Sequence, residues 1–261
     1  MISRRPANMI CRRPANASEA SKETSRSLSA NASVASEANK EPSRSLACPQ
    51  RSGGYNANVS VAKYQAVSWE GSLMGPETLE KLAEEALPGQ RPGDFGLDGR
   101  VREEILETWA SARAQWELFK GRRDRDDPKD KYGTSRTRQF WIQPLLALLG
   151  YDLRNTPAVE IGGRSFAVSH RAAGRICPVH IVGCFESLDR KREGSKSSPH
   201  SMTQEYVNLS ETLFALLTNG LQLRLVRDSS RLIKLSYLEF NLERIFEDEL
   251  FADFEIGRAH V

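Results

Sequence analysis

The stretch Phe214–Asp228 reads FALLTNGLQLRLVRD, and its two halves have different periods. LQLRLVR alternates, sending Leu221, Leu223 and Leu225 to one face and Gln222 and Arg224 to the other, as a half-buried strand does. Upstream, Tyr206, Leu209, Leu213 and Leu217 recur at helical spacing. Ser201 and Gln204 form an S-x-x-Q capping box, and Gly220 stands where a helix takes its C′ glycine. The reading is a helix that ends at Thr-Asn-Gly and turns at once into a strand, the tight return of an α/β sandwich.

Three extended segments precede this joint. PAVEIGG and RSFAVSH flank Gly162-Gly163, a hairpin signal, and ICPVHIVGC (176–184) is apolar on both faces, as a central strand is. ESLDRKREGSKSSPH (186–200) is a polar, basic loop. Upstream, TSRTRQFWIQPLLALLGYDL (134–153) predicts an apolar helix that ends at Gly150 and kinks or restarts at Pro144. Val101, Ile105, Ala112, Trp116 and Phe119, with Leu106 and Trp109 beside them, predict a helix with Asp98 as N-cap. GPETLEKLAEEAL (75–87) reads as another, and GRRDRDDPKDKYG (121–133) as a solvated linker. Downstream, LIKLSYLEF reads as a strand and NLERIFEDELF as a short helix. The expected fold is α/β, a helical N-terminal part (64–133) followed by an αβββαβ mixed sheet (134–254).

Composition narrows the setting. The chain has 261 residues, 39% hydrophobic and 27% charged, with no apolar run long enough for a transmembrane helix. Its net charge is +3, yet residues 1–51 hold nine Lys/Arg and four Asp/Glu of the 37 and 34 in the chain, which leaves 28 basic against 30 acidic groups elsewhere. The basicity belongs to the first fifty residues. There RRPAN occurs twice, and ASEASKETSRSL (17–28) returns as ASEANKEPSRSL (35–46). Residues 1–55 lack the apolar content for a core and are expected to be disordered. Cys11, Cys48, Cys177 and Cys184 are too scattered for a disulfide framework, so reduced thiols in a cytoplasm are expected.

Chemistry-bearing motifs are sparse. Cys177, His180, Cys184 and His170 raise a zinc site, but a strand sends Cys177 to the face opposite His180 and Cys184, and the spacing is not a usual one for zinc. Buried structural thiols are the better reading. G-x-S-x-G, H-E-x-x-H, the P-loop and G-x-G-x-x-G are absent from the sequence.

In combination, TRQFWIQPLLALLGY (137–151), SPHSMTQEYVNLS (198–210), LFALLTNGLQLRLVRD (213–228) and LSYLEFNLERIFEDELFADF (235–254) resemble the N-terminal region of type IIG restriction–modification adenine-specific DNA methyltransferases. The resemblance covers Ser68–Phe254. It implies a cytoplasmic parent protein that methylates DNA with S-adenosyl-L-methionine, with methylase and target-recognition parts in the same chain. It also implies that this region has a PD-(D/E)xK nuclease-like core, in which an Asp ending the second strand and an E-x-K on the third bind Mg²⁺ and activate water. Here those positions read Ser169-His170 and His180, and E-x-K occurs nowhere, while Gln204 matches the Gln that opens the following helix. The nuclease site is therefore expected to be degenerate, with no cofactor or metal in this fragment. Arg164, Arg171 and Arg175 are expected DNA contacts. A non-enzymatic scaffold is the rival from another class, and a nuclease using Glu160, Glu186 or Asp189 is a third. The terminal EIGRAHV (255–261) is what a common sequencing adapter encodes, and it is expected to pack against nothing specific.

Overall fold

The computed structural model describes residues 64–260 apart from positions 72, 74–76, 79–80, 82–83, 85–87, 96–97, 126, 173–176, 211 and 230–235. The expected tail (1–55) and most of the expected 75–87 helix lie outside the described residues. The architecture is mixed α/β, a helical part followed by a mostly antiparallel seven-stranded sheet. In chain order its elements are β1 (Val67–Glu70), α1 (Val101–Arg123), α2 (Thr134–Thr137, Arg138–Ile142 and Gln143–Leu148 in succession), β2 (Arg154–Asn155), β3 (Val159–Ile161), β4 (Arg164–Phe166), β5 (His170–Ala172) and β6 (Cys177–Ile181). There follow α3 (Pro199–Leu209), β7 (Phe214–Thr218), β8 (Gln222–Arg227), β9 (Tyr237–Asn241), α4 (Leu242–Glu247) and α5 (Phe251–His260). The sheet runs β1-β9-β8-β7-β6-β5-β2, and β3 with β4 forms a separate two-stranded ribbon. The β6–β7 pair, bridged by α3, is parallel, and the other neighbours are antiparallel.

The opening stretch folds differently from its expected helix-to-strand joint. FALLT is strand β7, and it pairs antiparallel with LQLRLVR through Leu217↔Arg224 and Thr218↔Leu223, so Thr-Asn-Gly is a hairpin turn. Helix α3 ends at Leu209, and Ser198 caps it in place of Ser201 by accepting from the Ser201 amide at 3.1 Å. The reason lies in the turn chemistry, because TNG serves a helix end and a hairpin equally well. The Thr218 hydroxyl accepts from the Gly220 amide and donates to the Gln222 carbonyl, while Asn219 Oδ1 accepts from the amides of Leu221 and Gln222. Gly220 has φ +86 and lies against Thr137 and Trp141, so no side chain fits there.

One sheet face carries the main core. Leu216, Leu223, Leu225, Leu238, Phe240, Val179 and Ile181 pack beneath α1, α2, α4 and α5. An aromatic cluster fills the helical layer, with Trp116 5.1 Å from Trp141 and 5.7 Å from Phe246, and Trp109 stacked on Phe246 at 5.2 Å. Ile105, Trp109, Ala112, Trp116 and Phe119 of α1 are buried as the periodicity predicts, but Leu106 is exposed, and the helix begins after Arg100 instead of at Asp98. In α2 a π-helical turn over Arg138–Ile142 precedes Pro144, which sits in the first turn of the α-helical stretch that restarts at Gln143. That helix ends in a Schellman arrangement, Tyr151 N–H to Leu146 C=O and Gly150 N–H to Ala147 C=O.

Other expectations are corrected. RSFAVSH is not one strand: β4 stops at Phe166, and His170 opens β5 rather than ending a strand. The 121–133 linker is not wholly solvated, because Arg136 (7% exposed) donates to the carbonyls of Arg122, Arg123 and Arg125 and pairs with Asp130. It closes α1 while Asp130 accepts from the Ser135 and Arg136 amides to open α2. Cys184 lies past the end of β6 and joins Cys177 in the helix-side core, so the two thiols are not on opposite faces. Residues 255–260 continue α5, where Ile256 is buried in the core and Glu255 pairs with Arg102, so this part of the terminal segment does pack specifically. The edge strand β1 went unread. The signal available was the alternation of Val67 and Trp69, and Ala66 ties it to α5 by donating to Asp253 at 2.7 Å.

A pair of glycines tests this packing. A Cβ on Gly183 would sit 1.9 Å from the Tyr132 carbonyl oxygen, whereas one on Gly121, exposed within α1, meets nothing within 4 Å. Gly183→Ala should destabilise by about 1–3 kcal/mol through overpacking against backbone, and Gly121→Ala should stabilise by about 0.5–1 kcal/mol through helix propensity. Urea denaturation of both variants checks the opposite signs.

Candidate functional site

The register brings Ser169 and His170 beside β6, with His170 opposite Val179. Ser169 Oγ accepts from the Ile181 amide at 2.9 Å and donates to the Val179 carbonyl at 3.2 Å. His170 Nδ1 lies 2.8 Å from that hydroxyl, and its Nε2 lies 3.0 Å from Gln143 Nε2 on α2. An amide nitrogen only donates, so His170 Nε2 is the acceptor and Nδ1 carries the proton toward Ser169. This network is consistent only with a neutral ring. Burial, and secondarily the Arg138 guanidinium, hold the His170 pKa down to about 4.

His180 projects from the other face of β6, in register with Leu217. Burial, with Arg138, His170 and Arg192 adding to it, lowers its pKa to about 4, and its Nδ1 has no hydrogen-bond partner. Arg138 crowns this strand end by donating from Nε and Nη2 to the Ile181 carbonyl at 3.1 and 2.7 Å. The Arg138 guanidinium thus stands at the end of β6, and the imidazoles of His170 and His180 near it are neutral.

Gln204 does not join it. Its Nε2 donates to Asn208 Oδ1 and to the Arg227 carbonyl, and Arg227 stands opposite Phe214 at the start of β7, whereas Ile181 stands opposite Thr218 at its end. Two of the expected DNA contacts face α3. Arg164 pairs with Glu205, and Arg171 donates to the Tyr206 hydroxyl, both toward α3, while Arg175 lies outside the described residues. The three alternative carboxylates do not converge. Glu160 is exposed on the β3–β4 ribbon, Glu186 accepts from the Gly183 amide and faces Arg192, and Asp189 is bound to Arg224. Among the described residues no group of three or more His, Cys, Asp or Glu side chains could hold a metal ion.

The constellation that sequence reading missed is centred on Arg224. The alternation of LQLRLVR assigns it to the face opposite Leu223 and Leu225, yet it is 4% exposed there. Asp189 grips it through both oxygens at 2.6 and 2.8 Å, Glu239 takes its Nε, and its Nη1 donates to His200 Nδ1 at 3.2 Å. Tyr237 lies under the guanidinium at 4.8 Å. Burial pushes the Tyr237 pKa up to about 12, and a hydrogen bond with Glu70 adds to the rise. Arg224 thereby fastens the 183–198 loop onto the sheet, helped by Asn219, which donates to the Glu186 carbonyl at 2.9 Å. No local signal marks Asp189 as its partner, 35 residues away.

Two measurements check these assignments. His170 and His180 take up a proton near pH 6.5 when unfolded but only near 4 when folded, so their contribution to stability is complete above pH 6.5 and is lost as pH falls toward 4. The urea midpoint should fall across that window, and His170→Asn should shrink the drop. For Arg224, replacement by Met strands Glu239 and should cost about 3 kcal/mol, while Asp189→Asn, at a largely exposed carboxylate, should cost less than about 1 kcal/mol.

No protein-family model, curated protein or solved structure matches the chain.

Proposed function

We propose that this chain is part of a restriction–modification or phage-defence adenine methyltransferase, and that its α/β unit contacts DNA without cutting it. One observation carries the reading. Near the adjoining ends of β5 and β6 stand two neutral imidazoles on opposite faces, His170 and His180, with Arg138 of α2 on the Ile181 carbonyl, and the resemblance to a PD-(D/E)xK core assigns carboxylates to the two histidine positions. The antiparallel β5–β6 pair followed by α3 and by a β7 parallel to β6 supports the nuclease-like derivation, with the β3–β4 hairpin outside that sheet. A hard cation such as Mg²⁺ prefers anionic oxygen, which imidazole nitrogen does not supply. A phosphate, by contrast, is attracted to the guanidinium, and such contacts are sequence-independent and salt-sensitive. In this reading, S-adenosyl-L-methionine binding, methyl transfer and target recognition belong to other parts of the parent chain.

The test uses the full 261-residue chain with duplex DNA and supercoiled plasmid. Duplex affinity should fall steeply with added salt, and Mg²⁺ should produce no nicking. Cleavage that disappears on Glu160→Ala or Asp189→Ala would favour the nuclease reading. An affinity of zero, or one indifferent to salt, would favour the protein-interaction scaffold.

A further inference from the structure

Two loops cross beyond the end of β6. Residues 131–133 come from the α1–α2 connection, and residues 183–185 follow β6. They are locked backbone to backbone: the Phe185 amide donates to the Tyr132 carbonyl at 3.2 Å, and only the missing side chain of Gly183 lets that carbonyl approach. The Phe185 ring rests against Gly133, where a Cβ would come within 3.2 Å of it. The phenyl group thus stands on a rigid base, yet it remains 55% exposed. Beside it, Tyr132 is flanked by cations, with the Arg192 guanidinium 5.3 Å and the Lys131 ammonium 5.5 Å from its ring.

The charge that faces solvent here is mostly basic. On the 183–198 loop Arg190, Lys191, Arg192 and Lys196 are exposed, as are the carboxylates of Asp189 and Glu193. Asp189 is engaged with Arg224, and buried Glu186 accepts from the Gly183 amide and pairs with Arg192, which leaves Arg190, Lys191 and Lys196 against Glu193. The Arg136 guanidinium lies 5.8 Å from the Phe185 ring, so both rings stand beside cations. Rings offer π faces to unpaired bases, and the surrounding cations offer charge to phosphates, which is the chemistry single-stranded nucleic acid requires. A duplex keeps its base faces stacked inside and cannot use such rings without opening.

We propose that Phe185 and Tyr132, with Lys131 and Arg192, form a stacking platform for unpaired bases of single-stranded DNA. This rests on the DNA-contact reading and adds where the DNA is held and in what state. Fluorescence anisotropy on the full chain would compare oligothymidylate of about 12 nucleotides, a duplex of equal length, and heparin as a polyanion without bases. Phe185→Ala should weaken oligothymidylate binding about tenfold and leave heparin unchanged, and Phe185→Trp should retain the affinity. The double variant Lys131→Ala/Arg192→Ala should weaken oligothymidylate and heparin alike and lower the oligothymidylate salt slope by roughly 1.4. The platform is overturned if Phe185→Ala leaves oligothymidylate binding unchanged, or if the native protein prefers the duplex. Duplex binding that ignores Phe185 removes the platform alone, whereas no binding to any probe removes the DNA-contact reading with it.

Discussion

One buried hydrogen bond joins the two halves of the fold: the Trp141 indole of α2 donates to the Gly220 carbonyl in the β7–β8 turn at 2.7 Å. It satisfies a polar group that would otherwise be buried unpaired on each side, at a cost of about 1–3 kcal/mol apiece. It also fixes where α2 lies over the sheet. From that position Gln143 reaches His170, Arg138 reaches the Ile181 carbonyl, and Thr137 Oγ1 accepts from the Cys184 amide at 2.9 Å. The π-helical turn through Arg138–Ile142 lies between these contacts. The strand ends, the loop after β6 and the aromatic core therefore share one support.

That dependence explains which parts of the fold could be read in the sequence. The α1 stripe and the two-faced apolar character of β6 follow from side-chain periodicity, which burial enforces locally. The Gly162-Gly163 hairpin follows from backbone freedom at two positions with φ +59 and +76. By contrast, FALLTNG has five apolar or neutral residues in a row and no period of its own, so a helix and a buried strand fit it equally. Pairing with β6 and β8 decides between them, and that pairing is long-range. The same ambiguity split RSFAVSH, where two strands of different sheets meet in one short segment.

The candidate site was legible in part. Ser169 and His170 do stand beside β6, because β5 and β6 are sequence neighbours, but His180 projects from the opposite face of the sheet. Gln204 was misassigned, since a helix of 11 residues carries its side chains along the full length of β7 and its capping pattern does not say which strand end it faces. Arg224 could not be chosen from an alternating strand, in which an outward Arg ordinarily meets water. It is buried because the 183–198 loop folds back with Asp189 and the first turn of α3 supplies His200. The electrostatic result is a sheet on which Asp189 and Glu239 are paired with Arg224, while the Arg138 guanidinium lies on the Ile181 carbonyl at the end of β6.

The central claim is that the β5–β6 strand end is a neutral, metal-indifferent histidine site. Nitrogen-15 NMR of the imidazole rings, recorded from about pH 4 to 8 with and without Mg²⁺, tests it most directly. The account predicts His170 as the Nδ1-protonated neutral tautomer down to about pH 5, with no response of either ring to Mg²⁺. A His170 that titrates near pH 6.5 or higher, or shifts on adding Mg²⁺, would contradict it.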